Sequence, residues 1–170
     1  MLVLVLLFSC AKEKKLVPDG LLVTTMRLYT IDVADTTVRD TFEFIDYDAL
    51  GPNSAYRTDT ISLQTGHQYR VQLQCCNEAV LPHIDYTGQL KAAGKNYLVV
   101  GKMDPTNRLS TQILDQDDRH LPVGFDQVWT AGPSGYGNFS LQLRYQPDMK
   151  NGTETPGISD AETIFPVLIQ

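Results

Sequence analysis

Apolar and polar residues alternate along much of this chain. In NFSLQLRY, Phe139, Leu141, Leu143 and Tyr145 fall on one face and Ser140, Gln142 and Arg144 on the other. QYRVQLQC repeats the pattern with Tyr69, Val71, Leu73 and Cys75 against Arg70, Gln72 and Gln74. TTVRDTFEF sets Val38, Phe42 and Phe44 on one face, with Asp40 interrupting. A period of two over six to eight residues marks a strand with one face in a core. Further strands are expected over 22–31, 58–63, 97–103, 109–114, 124–129 and 163–169. Turn residues divide them, among them Gly51-Pro52-Asn53, Thr65-Gly66, Asp104-Pro105 and Gly132-Pro133. No window holds sustained helical spacing. Short strands separated by turns at roughly 8–12 residues predict an all-β, antiparallel, immunoglobulin-like sandwich. Pro166 lacks the N–H of a central ladder, so it places the last strand at an edge or a bulge. The segment 146–162 has no periodicity and reads as a long polar loop.

The first residues break this pattern. Seven apolar residues, Leu2 to Phe8, run into Ser9-Cys10 and then AKEKK. A transmembrane helix needs about 20 apolar residues, so the run is too short to span a bilayer. Leu7-Phe8-Ser9-Cys10 resembles the lipobox of bacterial lipoproteins, in which the cysteine is acylated and the signal is cut before it. The resemblance makes Cys10 the lipidation site and 1–9 a signal remnant, and it predicts a lipid-anchored protein of the outer membrane. Residues 10–19 follow as a polar tether closed by the turn signature Val17-Pro18-Asp19-Gly20, and 20–170 form a single domain. Three of the chain's 14 basic residues and one of its 20 acidic ones lie before Leu16, so the part from Leu16 onward carries a net −8 against −6 for the whole. That charge repels phosphate backbones and argues against nucleic acid as a partner.

Several longer stretches, FIDYDALGPN, LQTGHQYRVQLQCCNEAV, DQDDRHLPVGFDQVWTAGPSGYGNFSLQLRYQPDMKNG and the closing TIFPVLIQ, together resemble a family of small Bacteroidetes outer-membrane lipoproteins of unknown function. Its members are often labelled type 1 periplasmic binding domain-containing proteins. The resemblance covers most of 22–170 and implies an envelope lipoprotein with TonB-dependent receptors as neighbours. Where relatives tend to carry an acidic, histidine-containing stretch, this chain has GQLKAAGKNYLVV, so a metal-related role does not carry over from that stretch.

Two acidic clusters could hold a cation. Asp46 and Asp48 in FIDYDALG have the D-x-D spacing that aims two carboxylates at one point, and Gly51 follows. Asp115, Asp117, Asp118 and His120 lie within LDQDDRH. Each admits two readings: a Ca²⁺ or other divalent site, or an ordinary Asx turn or solvated loop. His83 and Asp85 share a side of an extended chain, as in a carboxylate-oriented histidine ligand, but zinc needs three or four ligands. Adjacent strand residues point to opposite faces, so Cys75 and Cys76 read as core residues or as a strained redox pair. Catalysis finds no motif: GPSGYG lacks the second glycine of a nucleophile elbow, and there is no phosphate loop or HExxH. The expectation is therefore a binding module that is not an enzyme and has no resident cofactor. Five aromatics near turns, Tyr47, Tyr56, Tyr86, Trp129 and Tyr136, are the candidate ligand contacts. The partner would be a TonB-dependent receptor or another envelope protein. The alternative is a structural or adhesive component that accepts a partner's strand at a sheet edge.

Overall fold

The computed structural model describes residues 21–49, 51 and 53–170. Two sheets face each other across one core, and the chain is an all-β sandwich. The larger sheet runs, in spatial order, β3 (Arg57–Thr58), β2 (Arg39–Ile45), β1 (Thr25–Asp32), β5 (Gln68–Asn77), β9 (Asp126–Ala131) and β8 (Leu109–Ile113). The two residues of β6 (Ile84–Asp85) pair with the end of β5. The smaller sheet runs β4 (Ile61–Leu63), β11 (Ile158–Ile169), β10 (Gly135–Tyr145) and β7 (Tyr97–Asp104).

Alternation builds the core directly. Met26, Leu28, Phe42, Val71, Leu73 and Cys75 are buried from the larger sheet, and Phe139, Leu141, Leu143, Phe165, Val167 and Ile169 from the smaller. Burying one such large side chain stabilises the fold by about 1.5–3 kcal/mol. Trp129 meets Phe139 across the sheets with ring centroids 4.7 Å apart, and Phe44 meets Phe165 edge-on at 6.3 Å. Gly101 lies beneath the Phe139 ring, where a Cβ would come within 2.3 Å of it.

The structure corrects several expectations. The run 58–63 is one stretch in sequence but two strands in space. Thr58 pairs with Phe44 in the larger sheet, whereas Ile61 pairs with Val167 in the smaller. Asp59 makes the crossing: its N–H donates to the Glu43 carbonyl at 2.9 Å, and its carboxylate accepts the Glu43 N–H at 2.9 Å. The resulting β4–β11 pair is parallel, so the smaller sheet is mixed rather than purely antiparallel. The polar loop ends earlier than expected, because β11 begins at Ile158. Asp160 is the extra residue of a bulge, skipped between the Leu143–Ala161 and Arg144–Ser159 pairs. Pro166 sits opposite Asn138 where β10 is its one strand neighbour, since β4 covers only Val167–Ile169. A short helix, α1 (Thr87–Ala92), and a 3₁₀ turn at Gly94–Asn96 were not expected; the helix buries Leu90. Val38 is exposed, ahead of β2.

Cys75 and Cys76 are both free thiols and both buried. β5 continues through them, which keeps their side chains on opposite faces. Burial pushes both thiols up, Cys76 to about 11. The expectations for Cys10, the signal remnant and the tether lie outside the described residues. Among the described residues no helix is long and apolar enough to cross a membrane.

Candidate functional site

One end of the sandwich collects the sequence candidates that come together. At the start of β1, Thr25 pairs with Ile45 of β2 on one side and Cys76 of β5 on the other. The segment after β2 therefore leaves from this end, tied down where the Asp46 N–H donates to the Thr24 carbonyl at 2.8 Å. It turns at once: the Ala49 N–H donates to the Asp46 carbonyl at 3.0 Å, and Ala49 takes φ +53°. Asp48 folds back over Gly51, where a Cβ would lie 2.1 Å from its Oδ2, so the turn requires glycine there. The same oxygen accepts the Asn53 side-chain amide at 2.7 Å and the Asn53 N–H at 3.2 Å.

This fold-back brings Tyr47 and Tyr56 together. Their rings lie 5.2 Å apart at 42°, and both are exposed. With Asp46, Asp48, Asn53 and Ser54 they line a shallow cleft of about 270 Å³. Asp46 also lines a small cavity of about 20 Å³ that opens between the sheets beside Phe44 and Asp160. Partial burial, then a hydrogen bond with Asp48, raises the Asp46 carboxyl to about 6. Asp48 moves the other way: the Asp46 carboxyl and then the Asn53 amide hold it below the usual carboxylate range. Near neutral pH the cleft therefore joins a two-ring aromatic platform to an acidic pair able to accept or exchange a proton. Such a surface suits a ligand with an apolar face and hydrogen-bond donors.

The other candidates do not join this site. Trp129 and Tyr86 stand corrected as ligand contacts. Trp129 is fully buried in the core, its indole N–H donating to Gln127 Oε1 at 2.7 Å, and Tyr86 is buried at the start of α1. Both stand near turns, but their strand and helix positions point inward. Tyr136 is exposed yet lines a different cleft, with Thr60, Asp104, Pro105 and Pro166.

The acidic loop is divided among structural partners. Asp115 accepts the Gly124 N–H at 2.8 Å and the Phe125 N–H at 3.0 Å. The buried Asp117 carboxylate accepts the Arg119 and Leu121 N–H groups, each at 2.9 Å, and meets Lys150 Nζ at 3.1 Å. His120 and Asp118 are exposed, and His120 has φ +60°. His83 approaches Glu78 at 3.9 Å, while Asp85 accepts from Gln74 and from the Thr87 N–H. Among the described residues no three His, Cys, Asp or Glu side chains converge as a metal site. Asn53 and Ser54 are the site residues that sequence reasoning missed. In sequence Asn53 reads only as part of a turn, and the Asp48 carboxylate is what draws it into the cleft.

Comparison of the chain with protein-family models, curated proteins and solved structures returns no match.

Proposed function

We propose that this chain is a lipid-anchored binding module of the outer membrane, built on an immunoglobulin-like sandwich and accessory to a TonB-dependent uptake system. The observation that carries the reading is the exposed Tyr47–Tyr56 pair, set with Asp46 and Asp48 in one cleft at an end of the sandwich. Exposed aromatics on a loop held by a rigid scaffold are a common form of binding surface. The lipobox-like segment supports the anchor, and the acidic domain supports a partner other than nucleic acid. The module acts by binding rather than catalysis.

The adhesive alternative asks for an open edge strand, and β7 is a poor one. Its Val99 N–H is already taken by the Val123 carbonyl at 2.7 Å. Farther along, Lys102 is exposed on the edge and paired with Glu154 at 2.7 Å. Charged side chains on an edge blunt strand addition.

The test is a mild-detergent pull-down of the native protein from its own outer membrane, with mass spectrometry of the co-purifying chains. Cys10→Ala serves as the unanchored control and Tyr47→Ala/Tyr56→Ala as the site variant. The expected result is a TonB-dependent receptor in near-stoichiometric amount, lost in the double tyrosine variant while the sandwich still folds. Recovery of only self copies or fimbrial subunits would sink the uptake reading and move the chain to the adhesive class.

A further inference from the structure

The hairpin joining β5 to β6 exposes what a loop in water ordinarily hides. Every residue from Ala79 to Asp85 is exposed, and most of that stretch, AVLPHI, is apolar. Leu81 is 87% exposed, Val80 41% and Ile84 42%. The root of the hairpin is fixed. The Glu78 carboxylate is held by Arg27, and the Glu78 N–H donates to Thr24 Oγ1 at 2.8 Å. The Ala79 N–H is capped by Asn77 Oδ1 at 3.0 Å, and Ile84 and Asp85 pair with Asn77 and Cys76. The apolar tip is thus held out from the body by a polar, well-bonded base.

The position of the tip indicates what covers it. The Thr24 N–H donates to the Cys76 carbonyl at 2.9 Å, so the first described residues run alongside the foot of this hairpin. Leu22, two residues before Thr24, is itself 41% exposed. Tyr47 and Tyr56 leave from the same end of β1, and tyrosine favours the boundary between headgroups and water. Cys10 precedes Leu21 by eleven residues, a length of chain that spans at most about 40 Å. A lipid on Cys10 therefore keeps this end of the sandwich within reach of the bilayer. The basic residues of the intervening segment, Lys12, Lys14 and Lys15, suit an anionic headgroup layer.

We propose that the β5–β6 hairpin is a second membrane contact, with Leu81, Val80 and Ile84 seated at the headgroup boundary of the same bilayer that holds the lipid on Cys10. The proposal rests on the lipoprotein reading. Acyl chains alone leave a tethered domain free to rotate; an apolar tip beside the tether fixes which end faces the lipid. It also sets the Tyr47–Tyr56 cleft close to the membrane plane, where a receptor embedded in the same membrane is within reach.

The chain has a single native tryptophan, Trp129, fully buried in the core, which gives a constant background for an introduced one. Leu81→Trp is compared with Val33→Trp, which lies just past the other end of β1 and is 54% exposed. The full-length acylated protein is reconstituted into phosphatidylethanolamine–phosphatidylglycerol vesicles containing acyl-brominated lipid. In parallel, Cys10 of unacylated protein is coupled to a maleimide lipid; the buried, high-pKa Cys75 and Cys76 do not compete. The expected result is blue-shifted emission for Leu81→Trp with roughly twofold or greater quenching by bromolipid, as suits a side chain about 5–10 Å into the boundary. Val33→Trp should remain water-exposed and quenchable by aqueous acrylamide. If the Leu81→Trp signal stays water-like on vesicles, the proposal falls. Burial seen only in native membranes also overturns it, and assigns the loop to a protein neighbour. Mass spectrometry of the N-terminal peptide separates the two failures. A missing acyl group defeats the lipoprotein reading, while the maleimide-coupled arm still reports whether the loop enters lipid.

Discussion

At the residue scale, Asp46 is a side chain whose chemistry departs from its appearance in sequence. It stands just past β2, partly buried and hydrogen-bonded to Asp48, with its carboxyl raised to about 6. An unfolded aspartate titrates near 3.8, so the folded state holds this proton over a window in which the unfolded state has lost it. Stability therefore falls as pH rises from about 4 to about 6 and levels off above that. Asp48 opposes this in part, since its lowered value contributes stability that is lost toward acid pH. Asp46→Asn keeps a donor toward Asp48 and removes the buried charge. It should stabilise the protein at pH 7.5 by about 1–2 kcal/mol, discounted for partial solvation, and raise Tm by about 3–6 °C. Scanning calorimetry at pH 7.5 and pH 4 checks this: the gain should shrink toward zero at pH 4. An equal gain at both values would mean that charge is not the cause. The D-x-D spacing was legible in sequence, and so was the presence of Tyr47 and Tyr56. Their pairing was not, because it depends on Asp48 folding over Gly51 and catching Asn53, a path that side-chain spacing alone does not encode.

At the scale of elements, alternation located the long strands well where one face is buried more deeply than the other, as in β1, β5, β9, β10 and β11. It failed where that condition fails. The first residues of β11, Ile158–Glu162, include the Asp160 bulge, which breaks the period of two. α1 is six residues long, too short to show helical spacing. Trp129 lies within a predicted strand close to a turn, and its inward position follows from sharing a face with the buried Gln127 and Ala131. The acidic loop reads as solvated in sequence because its partner, Lys150, is 33 residues from Asp117. In the structure, the Asp117 side chain is 1% exposed and that of Lys150 not at all, and Lys150 also donates to the Gly94 carbonyl at 2.7 Å. The pair thereby ties three otherwise irregular segments together. Asp117→Ala strands a buried cation and should cost about 3 kcal/mol or more. Lys150→Met added to it removes the stranded charge and should restore a good part of that loss. Urea denaturation of both single variants and the double variant reads the coupling. Additive losses would show that the two side chains stabilise the loops independently.

For the whole molecule, the two sheets share one hydrophobic cluster. The edges are closed unequally. β4 pairs with only three residues of β11, and β7 is guarded by the Val123 carbonyl and by Lys102. Neither sheet has its own core, so separating them exposes the inner faces of both, and unfolding should be a single cooperative step. The molecule carries its own reporters of that step. Trp129 meets Phe139 of the opposite sheet with ring centroids 4.7 Å apart, so its fluorescence follows sheet separation. Cys75 faces the core from the centre of the larger sheet, beside Cys76, and burial holds both thiols high and unreactive. Far-ultraviolet circular dichroism follows the ladders themselves. In a urea titration the three signals, tryptophan emission, dichroism and thiol labelling by a brief pulse of reagent, should give one shared midpoint. Should Trp129 emission change at lower urea than the dichroism, the sheets part before they melt and the shared core is not what makes the fold cooperative. Should the thiols label first instead, the β5–β6 end opens locally, and the hairpin carrying Leu81 is a separately unfolding unit rather than a rigid projection of the sandwich.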